Sequence, residues 1–137
     1  MEMAEAAASR ASCDRLHVGC VLVKDKRVIS TGYNGSMRGA PTCDEVGHDM
    51  VDGHCVRTIH AERNALCNAA KHGVSTDGAT SIQNYFPCFE CFKHLVQAGI
   101  LAIVFKWYYG KAQWSSKSED KVYKEAKELG ITIRQWS

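Results

Sequence analysis

Two short motifs, each at the start of a predicted helix, constrain the fold of this chain more than any other feature. In "TIHAERNALCN", His60 and Glu62 open a helix whose alanine and leucine residues form an apolar face. In "YFPCFEC", Cys88 and Cys91 open a second helix directly after Pro87. Side chains two positions apart on a helix point about 200° apart, so His60 and Glu62 are poor partners for each other. A fold that joins the two helix starts would bring an imidazole, a carboxyl group and two thiols together.

The apolar runs and turn residues predict a chain of alternating helices and strands. Helices are predicted up to residue 12 and over 60–72, 88–98 and 118–129, and strands over 18–24, 28–33, 80–85, 100–107 and 131–136. Residues 34–57 are rich in Gly, Asp, Cys and His and are predicted to form a long loop, here called the insert. The order αββαβαβαβ implies a single domain over residues 1–137, folded as a three-layer α/β/α sandwich around a mixed five-stranded sheet.

The composition excludes several classes of protein. The net charge of +2 comes from 17 basic and 15 acidic residues without a Lys/Arg run, so no nucleic-acid partner is predicted. No apolar run approaches the ~20 residues of a membrane span, so no membrane association is predicted. The acidic, alanine-rich start "MEMAEAAASR" lacks the order of a signal peptide, which favours a cytoplasmic protein. In that compartment the seven cysteines are expected to be thiols or metal ligands.

The C-x-x-C spacing of Cys88 and Cys91 lets two thiolates converge on one Zn²⁺ ion, and a helix N-terminus stabilises their charge. With His60 as the third ligand, the fourth coordination position stays open, which is typical of a catalytic zinc site. Glu62 is then predicted to sit beside that position and to transfer protons. A redox pair or half of a zinc ribbon has the same spacing. The late position of the pair and the lack of a second C-x-x-C disfavour both.

The pattern H-x-E followed by P-C-x-x-C is the mark of zinc-dependent nucleobase deaminases. Together with "VGCVLVKDKRVISTGYNG", "CDEVGH", "DGHCVRTIHAERNA" and "QAGI", it makes the chain resemble the deoxycytidylate (dCMP) deaminases, including the bacterial late-competence proteins of that type. Similarity to tRNA adenosine deaminases is weaker because those lack the long insert. Riboflavin-pathway deaminases space their two cysteines more widely.

The resemblance implies a cytidine deaminase-like fold that hydrolyses dCMP to dUMP and ammonia, with Glu62 as the catalytic residue. It also implies regulation by dCTP and dTTP, with Mg²⁺ present only alongside such a nucleotide, and a homo-oligomer of hexamer size or smaller. Two alternatives stay open: a deaminase of another cytosine nucleoside or nucleotide, and a non-catalytic, zinc-stabilised competence-associated protein. The presence of Glu62 favours an enzyme, because a structural zinc has no need of a proton carrier.

The resemblance also suggests residues that bind the substrate. It implies that Asn34 contacts the deoxyribose and that the backbone N–H of Ala61 meets the pyrimidine O2. Arg15 is the candidate for the phosphate, and Tyr109 is a candidate for the wall of the nucleotide pocket. Asn34 fits a turn residue equally well, because Asn-Gly is a common turn dipeptide. Arg15 also fits a solvated surface charge.

A second metal is predicted in the insert. Cys43, His48 and Cys55, with Cys13 from outside the first strand, supply the four ligands of a closed structural zinc that would order this loop. Some phage relatives resemble this arrangement. The alternative is a buried Cys13 and free thiols in the insert. The two remaining cysteines outside both motifs, at positions 20 and 67, are predicted to be core residues.

Overall fold

The computed structural model describes residues 1–110 and 116–137. Its elements in chain order are α1 (Glu2–Ala8), β1 (Gly19–Lys24), β2 (Arg27–Tyr33), β3 (Gly35–Ser36), α2 (Cys43–Val46), β4 (Met50–Val51), β5 (His54–Cys55), β6 (Thr58–Ile59), α3 (Ala61–Lys71), β7 (Thr80–Tyr85), α4 (Phe89–Gln97), β8 (Ala102–Trp107), α5 (Ser116–Leu129) and β9 (Thr132–Gln135). No helix in the described ranges is long and apolar enough to cross a membrane.

Five strands form the main sheet in the order β2-β1-β7-β8-β9. β1 is antiparallel to both β2 and β7, whereas β7, β8 and β9 run parallel to one another. The β1–β2 hairpin turns at Asp25 and Lys26, whose φ angles of 51° and 62° suit the two-residue turns of right-twisted hairpins. Helices α4 and α5 make the crossovers between the parallel strands. The predicted mixed five-stranded sheet is confirmed.

Helices cover both faces of this sheet, with α1 on one face and α3, α4 and α5 on the other. Two glycines let helices approach the sheet closely. A Cβ on Gly19 would lie 1.9 Å from the backbone oxygen of Ala4 in α1, and a Cβ on Gly32 would lie 2.3 Å from that of Ala61 in α3. The three-layer α/β/α sandwich predicted from the element order is therefore confirmed.

The main apolar core lies between the sheet and the layer of α3, α4 and α5. Its largest fully buried hydrophobic side chains are Phe86, Phe92, Phe105, Leu22, Leu95, Ile100 and Ile103. Cys20 belongs to this core as predicted. The prediction for Cys67 is wrong, because this thiol is exposed. Cys67 follows the buried Ala65 by two positions, so it points to the opposite side of α3.

Two segments differ from their predicted form. α1 ends at Ala8 rather than near residue 12, and the following chain turns back so that the backbone N–H of Ser12 donates to Asn34 O. The insert contains short regular elements. A capping box between Thr42 and Glu45 begins α2, and β4 and β5 form a small antiparallel hairpin. These elements are too short to be recognised from periodicity.

Candidate active site and metal centres

Helices α3 and α4 begin with the same local geometry at one edge of the sheet. His60 is the N-cap of α3, with φ −64° and ψ 151°, and Cys88 is the N-cap of α4, with φ −67° and ψ 159°. Both residues have the extended backbone that is typical of an N-cap. Cys91 lies one turn into α4, and its backbone N–H donates to Cys88 Sγ at 3.3 Å.

The three side chains predicted to bind the catalytic metal converge. Nδ1 of His60 lies 3.6 Å from Cys88 Sγ and 3.4 Å from Cys91 Sγ, and all three atoms lie within 4.8 Å of one another. A tetrahedral zinc with the usual bond lengths separates its ligand atoms by about 3.6 Å. The Cys91 thiol donates to Cys88 and, with His60, lowers the pKa of the Cys88 thiol to about 4. The cluster therefore fits a zinc ion in its spacing and in the types of its ligand atoms.

Glu62 lies in the first turn of α3 and is 2% exposed. Burial raises the pKa of its carboxyl group, and the nearby Cys88 thiolate raises it further. A raised carboxyl pKa suits a group that must both accept and release a proton during one reaction. Oε1 of Glu62 also accepts a hydrogen bond from Gln83 Nε2 at 3.1 Å. That contact was not foreseen from the sequence.

A cavity of about 320 Å³ opens beside this cluster, which is within the range of small-molecule sites. His60 and Glu62 line it, and so do all four residues predicted to bind the substrate: Arg15, Asn34, Ala61 and Tyr109. The structure thus brings these residues together around one space. Their individual roles stay predictions.

Asn34 holds the cavity wall in place. Its Oδ1 accepts from the backbone N–H of Val18 at 2.8 Å, and its Nδ2 donates to Leu16 O at 2.8 Å. An amide has two lone pairs and two N–H groups, so one of each is left over after these contacts. Asn34 can therefore fix residues 16–18 and still offer a hydrogen bond to a ligand.

Arg15 and Tyr109 border the cavity at different elements. Arg15 reaches the β4–β5 hairpin, where its Nη1 donates to Gly53 O at 3.1 Å. Its guanidinium group therefore places a positive charge near the insert. Tyr109 follows β8 and stacks on Tyr85, with ring centroids 5.3 Å apart. Burial raises the pKa of Tyr109, so its hydroxyl group stays protonated.

The predicted insert ligands also converge. The ligand atoms of Cys13, Cys43, His48 and Cys55 all lie within 4.8 Å of one another. Nδ1 of His48 lies 3.5 Å from Cys13 Sγ, and its Nε2 lies 2.8 Å from an oxygen of Asp14. A carboxylate on the second ring nitrogen is the usual way in which a protein orients a ligating histidine. Three sulfurs and one imidazole form a closed four-ligand zinc set.

The two clusters share the cavity. Cys13 and Cys55 line it together with His54, which lies between the β4–β5 turn and Cys55. Although burial opposes the change, hydrogen bonds at the Asp49 and Arg57 backbone lower the pKa of the Cys55 thiol to about 6. The insert is thus one wall of the candidate active site.

The comparison with known families decides the assignment. Residues 1–107 match the family model "Cytidine and deoxycytidylate deaminase zinc-binding region". The chain belongs to this family. ComE operon protein 2 of Bacillus subtilis is 41% identical over 128 residues, which cover 93% of this chain and 64% of that protein. The deoxycytidylate deaminase of Saccharomyces cerevisiae is 37% identical over 145 residues, which cover all of this chain and 43% of that one.

A solved structure within the same deaminase group supports the fold. The dCMP deaminase from cyanophage S-TIM5, in complex with dCMP and dUMP, has a TM-score of 0.80 and 27% identity, with 98% of this chain and 92% of that chain covered. The predicted resemblance to dCMP deaminases of the late-competence type is confirmed. The chain spans less than two thirds of the length of the two curated relatives described above.

Membership in a zinc-binding deaminase family agrees with the predicted zinc cofactor, and the donor set at α3 and α4 fits that metal. Two residues of the candidate site are not predicted from the sequence. Strand alternation places Gln83 on the same face as Ser81 but does not reveal its contact with Glu62. His54 lies in the insert, and only the tertiary structure brings the insert to the cavity.

Proposed function

We propose that this chain is a zinc-dependent dCMP deaminase, which converts dCMP and water to dUMP and ammonia. The observation that carries the proposal is the convergence of His60, Cys88 and Cys91 beside a cavity that Glu62 also lines. The names of the relatives, two of which are deoxycytidylate deaminases, support the choice of substrate. We also propose that residues 1–137 act as one deaminase domain.

His60, Cys88 and Cys91 would hold a zinc ion, which would supply the acidity that makes water reactive near neutral pH. Glu62 accepts a proton as the oxygen of that water bonds to C4 of the cytosine ring, and it passes the proton to N3. Glu62 then takes the remaining proton of that oxygen and delivers it to the exocyclic nitrogen, so that a C4=O bond forms as the C4–N bond breaks and ammonia leaves. Burial of Glu62 keeps bulk water away from both transfers.

The substrate is held by residues around the same cavity. The Ala61 backbone N–H in the first turn of α3 donates to the pyrimidine O2, and the remaining N–H of the Asn34 amide serves the deoxyribose. Arg15 binds the phosphate through its guanidinium group at the insert side. Tyr109, backed by Tyr85, forms the wall beside the base.

A second, structural zinc is bound by Cys13, Cys43, His48 and Cys55. It ties the insert to the segment after α1 and so fixes the wall that carries Arg15 and His54. The two-centre arrangement predicts two zinc ions per chain. A metal content near one, with the insert thiols open to alkylation in the folded protein, would contradict the second site.

Regulation and assembly complete the proposal. The chain responds to dCTP and dTTP, with Mg²⁺ accompanying only the nucleotide, and it forms a homo-oligomer of hexamer size or smaller in the cytoplasm. The support is the family resemblance alone. Sedimentation with and without dCTP–Mg²⁺ measures both the size of the oligomer and its response to the nucleotide.

The deciding experiment compares dCMP, deoxycytidine, dCTP and cytosine as substrates, by the change in ultraviolet absorbance and by ammonia release. Preference for dCMP is expected. Preference for a substrate without a phosphate would overturn the substrate assignment and leave the chemistry intact. Zinc-loaded protein that turns over none of the four would instead favour a non-catalytic protein.

A further inference from the structure

Gln83 is a fully buried polar side chain at the centre of the sheet. It lies on β7, with Cys20 of β1 opposite it on one side and Phe105 of β8 on the other. All three are completely shielded from solvent and face the layer of α3 and α4. An amide in such a place is costly unless its polar atoms find partners, so its contacts indicate its purpose.

The three hydrogen bonds of the Gln83 amide all agree with one placement of its oxygen and nitrogen atoms. Nε2 donates to Glu62 Oε1 at 3.1 Å and to the Tyr85 backbone oxygen at 2.8 Å. Oε1 accepts from Ser81 Oγ at 2.9 Å. The carboxylate and the carbonyl can only accept hydrogen bonds, so a flipped amide would set oxygen against oxygen twice. The two N–H groups of Gln83 are therefore committed to these two acceptors.

The contacts continue behind Gln83. Ser81 Oγ also lies 3.3 Å from Cys20 Sγ. Burial, with a further contribution from the charge of Glu62, raises the pKa of the Cys20 thiol, so it keeps its proton and can donate to Ser81. Ser81 is then free to donate its own proton to Gln83. Thiol, hydroxyl and amide form one hydrogen-bonded chain that ends on Glu62, and such chains polarise each of their members.

A second donor to Glu62 depends on the state of the metal site. The single S–H of Cys91, which donates to Cys88, is also within reach of this carboxyl group and lowers its pKa. Cys91 cannot donate once it binds zinc as a thiolate. Gln83 keeps its contact in either state, because it does not belong to the metal cluster.

We propose that Gln83 is a positioning residue, which holds Oε1 of Glu62 so that the other carboxylate oxygen faces the cavity. The inference rests on the proposed deaminase activity of the same site. Glu62 lines the cavity, whereas Gln83 is not among the described residues that do. Gln83 therefore acts on the reaction through Glu62 and makes no contact with the substrate. Ser81 supports it by fixing the amide.

The test is the Gln83→Met variant, which has a side chain of similar length without a hydrogen-bond donor. A bond to a charged group that orients a proton carrier predicts a fall in kcat of about 10- to 100-fold. KM for dCMP and the zinc content per chain are expected to stay at wild-type values, because the cavity and the metal ligands are untouched. A purely structural role would instead lower the melting temperature and the zinc content together.

Two serines give a matched pair of further variants. Ser81→Ala leaves Gln83 in place and removes the donor that fixes its amide, so a smaller loss of kcat is expected. Ser30→Ala removes a buried hydroxyl that donates to Ala65 O in the same helix as Glu62, at 2.6 Å, and it has no contact with Gln83. Ser30→Ala should lower stability by a similar amount and leave kcat unchanged. Ser81→Ala also serves if Gln83→Met does not fold.

The outcomes separate this inference from the proposed function. Wild-type turnover of dCMP with unchanged kcat in both Gln83→Met and Ser81→Ala overturns the positioning role alone. A parallel loss of kcat in Ser30→Ala overturns it as well, because any weakening of α3 would then suffice. A wild-type protein that deaminates no cytosine substrate overturns the proposed function and the positioning role with it.

Discussion

At the scale of single residues, His60 and Glu62 lie two positions apart at the start of α3 and contact different partners. His60 is the N-cap and reaches outward to two cysteines, whereas Glu62 lies two positions on and is buried against Gln83. Both side chains line the same cavity, but His60 contacts the two thiols whereas Glu62 contacts Gln83. The proposed division of labour depends on this difference in partners.

The Glu62→Gln variant tests the proposed proton carrier. The amide has nearly the same shape but cannot accept and release a proton, so kcat for dCMP should fall by roughly 10²- to 10⁴-fold. Zinc content, measured by atomic absorption, should not change, since His60, Cys88 and Cys91 remain. Turnover within a few-fold of the wild-type rate would exclude Glu62 as the proton carrier.

At the scale of elements, the position of α3 against the sheet decides where the site forms. A Cβ on Gly32 of β2 would meet the α3 backbone at Ala61, which lies between His60 and Glu62, and at Ala65 one turn further on. Gly19 on β1 makes the same kind of contact on the opposite face, with Ala4 and Ala8 of α1. Each glycine thus allows one helix to lie close to the sheet. Of these two helices, α3 carries the candidate site.

This pair of glycines gives a prediction with its own control. Gly32→Ala and Gly19→Ala should each destabilise the fold, by about 1–3 kcal/mol, because the new methyl group meets helix backbone. Gly32→Ala should also lower zinc content and kcat, because it pushes away the start of α3. Denaturant unfolding measures the first effect, and metal analysis with kinetics measures the second. Equal losses of activity in the two variants would contradict the special place of α3.

At the scale of the whole molecule, two distant segments build one wall of the cavity. Cys13 follows α1, while Cys43, His48 and Cys55 belong to the insert, and the four ligand atoms meet at one point. Arg15 reaches the same hairpin through Gly53. The proposed structural zinc therefore affects substrate binding more than the chemistry itself.

Cys43→Ser tests this coupling, because Cys43 is a proposed ligand that does not line the cavity. We expect one zinc ion per chain instead of two, a lower melting temperature and a higher KM for dCMP, with a smaller change in kcat. The control is Cys67→Ser, since Cys67 is exposed and lies outside both clusters. It should keep two zinc ions and wild-type kinetics. Two zinc ions in Cys43→Ser would remove the insert site from the proposal.

The sequence by itself determined the fold class and the members of the candidate cluster at α3 and α4, because both follow from short-range rules. Strand alternation, helix ends and the C-x-x-C spacing act within a few residues, and His60 and Cys88 each cap the helix that their own motif predicts. The insert ligands are predicted from the Cys and His residues of the insert and the need to order a long loop, and some phage relatives resemble that arrangement.

The tertiary structure alone decided what depends on contacts between distant elements. Cys67 was predicted to be buried, but the orientation of α3 exposes it. Gln83 meets Glu62 because β7 lies beside β1, against which α3 packs, and this contact joins residues 21 positions apart. Arg15 borders the cavity because the insert folds back onto the segment after α1. Contacts of this kind depend on how whole helices and strands pack against one another. No local pattern of residues encodes that packing.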